Sequence, residues 1–167
     1  HKPLKKTLQS NYSGTTPNLY CNKAIKKSGG CYDNLFIEDF SLVLRLSLFG
    51  SFSFIDNISS FGPADDKDRI MLGKKNQLLH DYNAAIYLFL TEHPKLSREL
   101  RSIACKKCLG RSEKWLRREL KKSFINEMNY MRIKYFITKA DEKEFIKKSC
   151  EVFYKFSSSN PIRYQIC

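Results

Sequence analysis

The clearest regular pattern of apolar and polar positions lies in residues 111–139. Mostly apolar side chains recur there at steps of three or four, the spacing of one face of an α-helix. These inward positions are Leu116, Leu120, Phe124, Met128, Met131, Tyr135 and Thr138. Basic side chains lie roughly opposite at Lys114, Arg118, Lys121 and Lys122, with Arg117 at the flank. The pattern predicts one long helix, capped by Ser112, that has a core face and a strongly cationic face.

Three further stretches have helical spacing. One covers residues 66–92 and ends before Pro94, because proline disfavours the α region in the residue before it. The second covers residues 95–109, and Gly110 is expected to end it. The last covers residues 141–156 and opens with the pattern of a capping box.

Residues 33–55 fit both a helical and an alternating template. The Leu-rich content favours a helix over residues 35–48, while Gly50 favours a short extended segment near 42–55. Residues 1–20 have neither period and are interpreted as a mobile basic arm, and residues 157–167 as a tail. The predicted fold is therefore mainly α: a single domain, residues 1–167, with a disulfide-stabilised core of four to five helices at 33–156.

Charge is the strongest compositional signal. The chain of 167 residues carries a formal net charge of +13. From residue 92 to the end, nineteen Lys and Arg face only nine Asp and Glu. Such an excess favours anionic partners, although a solvated surface is the plain alternative. The candidate residues for binding a partner or polyanion are Lys114, Arg117, Arg118, Lys121 and Lys122.

Six cysteines suggest disulfides. An even number in a chain that starts without an initiator Met favours an oxidising compartment and up to three bonds, in any of fifteen pairings. The expected arrangement joins the first pair to the second, one bond each, and fastens the tail to the last helix. The candidates are Cys21, Cys31, Cys105, Cys108, Cys150 and Cys167.

Two short motifs suggest chemistry. Cys105-Lys-Lys-Cys108 has the spacing of a thiol-redox pair, but it lies near a predicted helix C-terminus, where the dipole opposes a thiolate. His80-Asp81 resembles the His–Asp dyad of secreted phospholipases A2. That resemblance implies a His that activates water and an Asp that holds calcium, yet the flanking cysteines and Gly-rich loop of that family are not found beside the dyad. No residue is therefore nominated as catalytic or metal-binding, and no cofactor is implied.

The leading hypothesis is a secreted, disulfide-bonded helical module whose basic C-terminal half engages a protein receptor, an acidic surface or a polyanion such as a sulfated glycan. One alternative is an intracellular nucleic-acid-binding protein with reduced cysteines. The chain's high content of Lys, Phe and Tyr is similar to that of proteins encoded by the AT-rich genomes of parasites and large viruses. The inside of an infected host cell is therefore the alternative location. A small redox or lipolytic enzyme is the third hypothesis.

Overall fold

A computed structural model describes residues 3–10, 18–53, 73–121, 123, 125–138, 141–155 and 166. Over these residues the protein is all-α, with seven helices and no strand. The helices are α1 (Pro3–Ser10), α2 (Asn22–Ser28), α3 (Glu38–Leu46), α4 (Lys75–Glu92), α5 (Arg98–Glu119), α6 (Glu127–Thr138) and α7 (Glu142–Lys155). In the described part of the chain, no helix is both long enough and apolar enough to cross a membrane.

The core lies where α4, α5 and α7 pack together. Phe89 of α4, Leu109 of α5 and Phe153 of α7 are among the largest fully buried side chains. Trp115 meets Phe153 edge to face, with ring centroids 5.2 Å apart. The other helices surround this centre: α3 packs on α4, α1 on α5 and α3, and α6 on α5 and α7. Burial of these apolar faces supplies the main driving force for the fold.

The prediction of one helix over residues 111–139 is wrong. Helix α5 ends at Glu119, and Lys121 has a left-handed backbone with φ of +50°. A new helix follows, and Asn126 caps it by accepting the backbone N–H groups of Met128 and Asn129, each at 3.0 Å. The predicted core face holds on both sides of this break. Buried on that face are Leu116, Met128 and Tyr135, whereas Thr138 is exposed and Phe124 lies outside the described residues.

The predicted boundary at Gly110 and Ser112 is also wrong, because α5 runs through both residues. Serine is a weak helix former where its hydroxyl competes for the backbone. Here the Ser112 hydroxyl donates to the Ser149 carbonyl of α7 at 2.7 Å and does not cap a helix. The N-cap of α5 is Ser97, whose Oγ accepts the Leu100 N–H at 3.4 Å.

The predictions of a mobile N-terminal arm and of an extended segment near 42–55 both differ from the structure over the described residues. Residues 3–10 form α1, whose Leu4 and Leu8 lie one helical turn apart and are buried. Two apolar positions are too few to reveal a period, and a helix this short needs its contacts with α3 and α5 to be stable. The predicted extended segment is helical up to Leu46 and has no strand over 47–53, while 54 and 55 lie outside the described residues.

Two helix predictions agree with the structure apart from their bounds. The predicted helix starts at residue 66, whereas α4 begins at Lys75 and is preceded by a turn at residue 73. Residues 66–72 lie outside the described residues. Helix α7 begins after Asp141, whose carboxylate accepts the Lys143 N–H at 3.0 Å. Phe145 and Val152 of its predicted inward face are buried.

The predicted disulfides are not present in the described residues. Five cysteines are free, and Cys167 lies outside this set. Cys105, Cys108 and Cys150 are buried, whereas Cys21 and Cys31 are exposed. The error has a simple cause: Cys105 and Cys108 belong to the core face of α5, together with Leu109 and Leu116, and are not on the surface where the N-terminal cysteines lie. Among the described residues, the buried thiols therefore pack within the core as small apolar groups and form no disulfide bond.

Candidate anion-binding groove

A groove of about 450 Å³ lies between the first turns of α4 and the later part of α5. Leu79, Gly110 and Trp115 supply its uncharged lining. The Trp115 ring is held in place by its Nε1–H, which donates to Asn76 Oδ1 at 2.9 Å. The charged lining consists of Lys75, Lys106, Lys107, Arg111, Lys114, Arg118 and Glu119. Among the residues that the structure describes, six cations against one carboxylate in a concave surface create a strongly positive potential.

Four of these cations form a single row along α5. They are separated by steps of four, three and four residues, which places them on one side of the helix. This row, called the α5 cationic stripe below, consists of Lys107, Arg111, Lys114 and Arg118. A helix therefore presents its cations at regular intervals along one wall of the groove.

The structure brings together only part of the predicted set. Lys114 and Arg118 line the groove. Arg117 instead forms an i,i+4 ion pair at 3.6 Å. Lys121 is exposed beyond the end of α5, and Lys122 lies outside the described residues. The helix break therefore separates the predicted cationic face into two parts, of which only the first lies in the groove.

Four groove cations were not predicted. Lys106 and Lys107 precede Gly110 and Arg111 follows it, so the helix end that is predicted at Gly110 places these cations on two different helices. The regular steps from 107 to 118 are the signal that a continuous helix would have revealed. Lys75 comes from α4, and no local pattern relates it to α5.

Arg111 is fixed before any ligand binds. Its Nη1 donates to Asn83 Oδ1, and its guanidinium carbon lies 5.0 Å from the centroid of the Tyr82 ring. The Asn83 amide in turn donates to Ser112 Oγ and Ser149 Oγ, each at 3.0 Å. This buried network joins α4, α5 and α7 directly beneath the groove. Because the guanidinium is already ordered, binding an anion costs less conformational entropy.

The cations also perturb one another. Burial lowers the pKa of Lys107, and the neighbouring Arg111 charge lowers it further. Burial likewise lowers the pKa of Arg111. Lys107 Nζ donates to the Gln9 carbonyl at 2.6 Å, which holds it at the end of α1. A bound anion would relieve this crowding and favour the charged form of both groups.

An ion pair between Lys75 Nζ and Glu119 Oε1 connects the two walls of the groove. Both side chains are exposed, and such surface pairs contribute only about 0–1 kcal/mol. A phosphate or sulfate group can therefore replace the carboxylate at little cost.

Gly110 leaves the backbone of α5 uncovered inside the groove. On the helix surface its neighbours at i−4, i−3 and i+4 are cations, Lys106, Lys107 and Lys114, while the neighbour at i+3 is Glu113. A Cβ added at Gly110 would meet nothing within 4 Å, so no packing contact in the protein requires glycine here. An anion can thus approach the helix closely at the centre of the positive surface.

The Cys105–Cys108 motif lies in the core and not in the groove. Burial raises the pKa of Cys105 well above its ordinary value and that of Cys108 to about 12. Thiol–disulfide exchange requires a thiolate, which these surroundings disfavour. Their positions fit a packing role.

His80 and Asp81 are also fully buried. The Asp81 carboxylate accepts the Phe36 N–H at 2.7 Å, the Gln77 amide at 2.7 Å and His80 Nδ1 at 2.8 Å. His80 Nε2 is buried and has no hydrogen-bond partner among the residues that the structure describes. Three donors converge on one carboxylate that ties α4 to the segment before α3, a connection that stabilises the fold.

Among the described residues, no group of three or more His, Cys, Asp or Glu side chains is placed to hold a metal ion. No protein-family model, curated protein or solved structure matches this chain. The geometry of the groove is therefore the basis for assigning a function.

Proposed function

We propose that this protein is a binding module for polyanions, which takes phosphate or sulfate groups into the groove between α4 and α5. Binding relies on charge and on the row of cations, and it needs no catalytic residue. Affinity is expected to fall steeply as salt rises, with little preference for sequence.

One observation carries the proposal: among the described residues, six cations and a single carboxylate line one groove. A solvated surface gains nothing from collecting like charges in a concave site, because their repulsion opposes folding. The excess is compensated when an anion binds. The regular spacing of the α5 cationic stripe further suits a ligand that carries several charges in a row.

The free cysteines favour nucleic acid as the polyanion. The hypothesis of secretion depends mainly on predicted disulfides, and the five cysteines that the structure describes are unpaired. Free thiols fit the reducing interior of a cell, where nucleic acids are the abundant polyanions. A sulfated glycan presents similar chemistry and serves as the second probe.

The test is the salt dependence of binding to a short labelled duplex, followed by fluorescence anisotropy between about 50 and 200 mM salt. Replacing Lys114 and Arg118 together by Gln removes two exposed groove charges. We expect the slope of log affinity against log salt to become shallower by about two.

A matched variant replaces Lys23 and Lys26 by Gln. These residues are exposed on α2, away from the groove lining, and the net charge changes equally. This control should keep the original slope. Equal slopes for the two variants would refute binding of the duplex in the groove. Binding of heparin but not of the duplex would assign the groove to sulfated glycans.

A further inference from the structure

Helix α6 exposes an apolar face. Ile133 and Ile137 are 54% and 76% exposed, although most large apolar side chains of the described chain are covered. Tyr130, Ile133 and Ile137 are spaced at i, i+3 and i+7, so they lie on one side of the helix. Five of the eight exposed large apolar residues in the described chain lie between 125 and 137, and this concentration indicates an interaction surface. The α6 apolar face consists of Tyr130, Ile133, Phe136 and Ile137, together with Ile125, which lies just before the helix.

This face continues into a concave region. Beside Phe136, α5 and α6 leave a groove of about 330 Å³ that also includes Ser102 and Tyr135. A smaller cavity of about 100 Å³ reaches from Phe136 to Leu109 and Arg132. Such cavities can accept the protruding side chains of a partner protein. A flat membrane surface has no side chains to insert into them. The shape therefore fits a helix lying along α6.

The charges around the face are mainly positive. Arg98 and Lys106 line the larger groove, and Arg132, which pairs with Glu113 at 3.7 Å, lines the smaller cavity. On α6 itself, Lys134 and the acid Glu127 are both exposed. Lys106 Nζ lies 4.8 Å from the Phe136 ring centroid. Glu99, the one acid in the larger groove, pairs with a lysine of α1 at 2.5 Å. The rim therefore selects acidic residues, and a second copy of this basic chain would be repelled.

We propose that the α6 apolar face docks an acidic amphipathic helix of a partner protein. Its apolar side chains, repeating at i, i+3 or i+4 and i+7, would lie on the face, while its carboxylates meet the basic rim. Helix α6 has 12 residues and is about 18 Å long, which matches roughly three turns of such a ligand. Of the described lining residues, Lys106 alone is shared with the anion groove, so the surface stands independently of the proposed polyanion binding.

The experiment selects helical peptides on the intact protein from a display library and measures the selected peptides by fluorescence anisotropy. We expect acidic peptides with apolar residues at i, i+3 or i+4 and i+7. Replacing Ile133 and Ile137 together by Ser should weaken their binding at least tenfold. Both side chains are exposed, and Ile and Ser have similar helix propensities, so the fold should be unchanged.

Leu19→Ser is the control, because Leu19 is 95% exposed and outside α6. It should leave peptide binding unchanged, and duplex binding should be unchanged in both variants. Selected peptides that are basic, or that bind the double variant equally well, would overturn the proposal. The proposal would also be overturned if the protein dimerised, or bound anionic phosphatidylserine vesicles, and the same double variant abolished that interaction. The face would then be assigned to a second copy of the chain or to a membrane surface.

Discussion

Replacing Gly110 by Ala tests the continuity of α5 and should stabilise the protein. Glycine inside a helix is less favourable than alanine by about 0.5–1 kcal/mol. The added Cβ meets nothing within 4 Å, so no clash reduces this gain. For a domain of this size, 1 kcal/mol corresponds to a rise in Tm of roughly 2–4 °C. The free energy of unfolding is measured by urea titration and by thermal melting.

Gly30→Ala is the matched control, because a Cβ there also meets nothing within 4 Å. Gly30 has a φ of +75°, a left-handed conformation that costs an L-residue about 1–2 kcal/mol. The same chemical change should therefore destabilise the protein at Gly30 and stabilise it at Gly110. Destabilisation by Gly110→Ala would refute the reasoning and restore the helix end that the sequence alone suggested.

The same variant also probes the groove. A methyl group at position 110 keeps an anion away from the backbone without removing a charge, so we expect weaker duplex binding with an unchanged salt slope. A more stable protein that binds less tightly would separate this effect from misfolding. Unchanged affinity would show that the ligand stays clear of the helix backbone.

Two further predictions concern the cysteines and the break between α5 and α6. A thiol reagent should label Cys21 and Cys31 in the native protein, and the three buried cysteines only after unfolding, because burial raises their pKa. Mass spectrometry of the unreduced protein checks this, and a bond between any two of these five would contradict it. Lys121→Gly should stabilise the protein by about 1 kcal/mol in thermal melting, since it removes a left-handed lysine, whereas Lys121→Ala should not. Equal effects of the two would show that this backbone is not strained.

The sequence by itself determined the features that depend on local periodicity. Helix α7 begins close to the expected residue, and Phe145 and Val152 lie on its buried face as predicted. Leu116 and Tyr135 were also assigned correctly to the core, even though they belong to two helices and not one. These assignments succeed because helical spacing directly relates residues three and four positions apart.

Helix boundaries were decided by packing. Gly110 and Ser112 are weak helix formers, and local propensity alone predicts a break between them. In the folded protein, Asn83 of α4 and Ser149 of α7 supply hydrogen-bond partners for Ser112, and α5 continues. The actual break at Lys121 is followed by one local signal, Asn126, a preferred N-cap residue that begins α6 but stands within an otherwise continuous helical pattern.

The candidate site required the tertiary structure for a similar reason. Lys114 and Arg118 were predicted from helical spacing, but Lys75 joins them only because α4 packs beside α5. The cysteines could not be assigned from the sequence for the same reason, since their spacing does not distinguish cysteines buried on a core face from cysteines that form disulfides. Which face of a helix is covered depends on the free energy of burying it against distant elements, and that quantity is settled only when those elements meet.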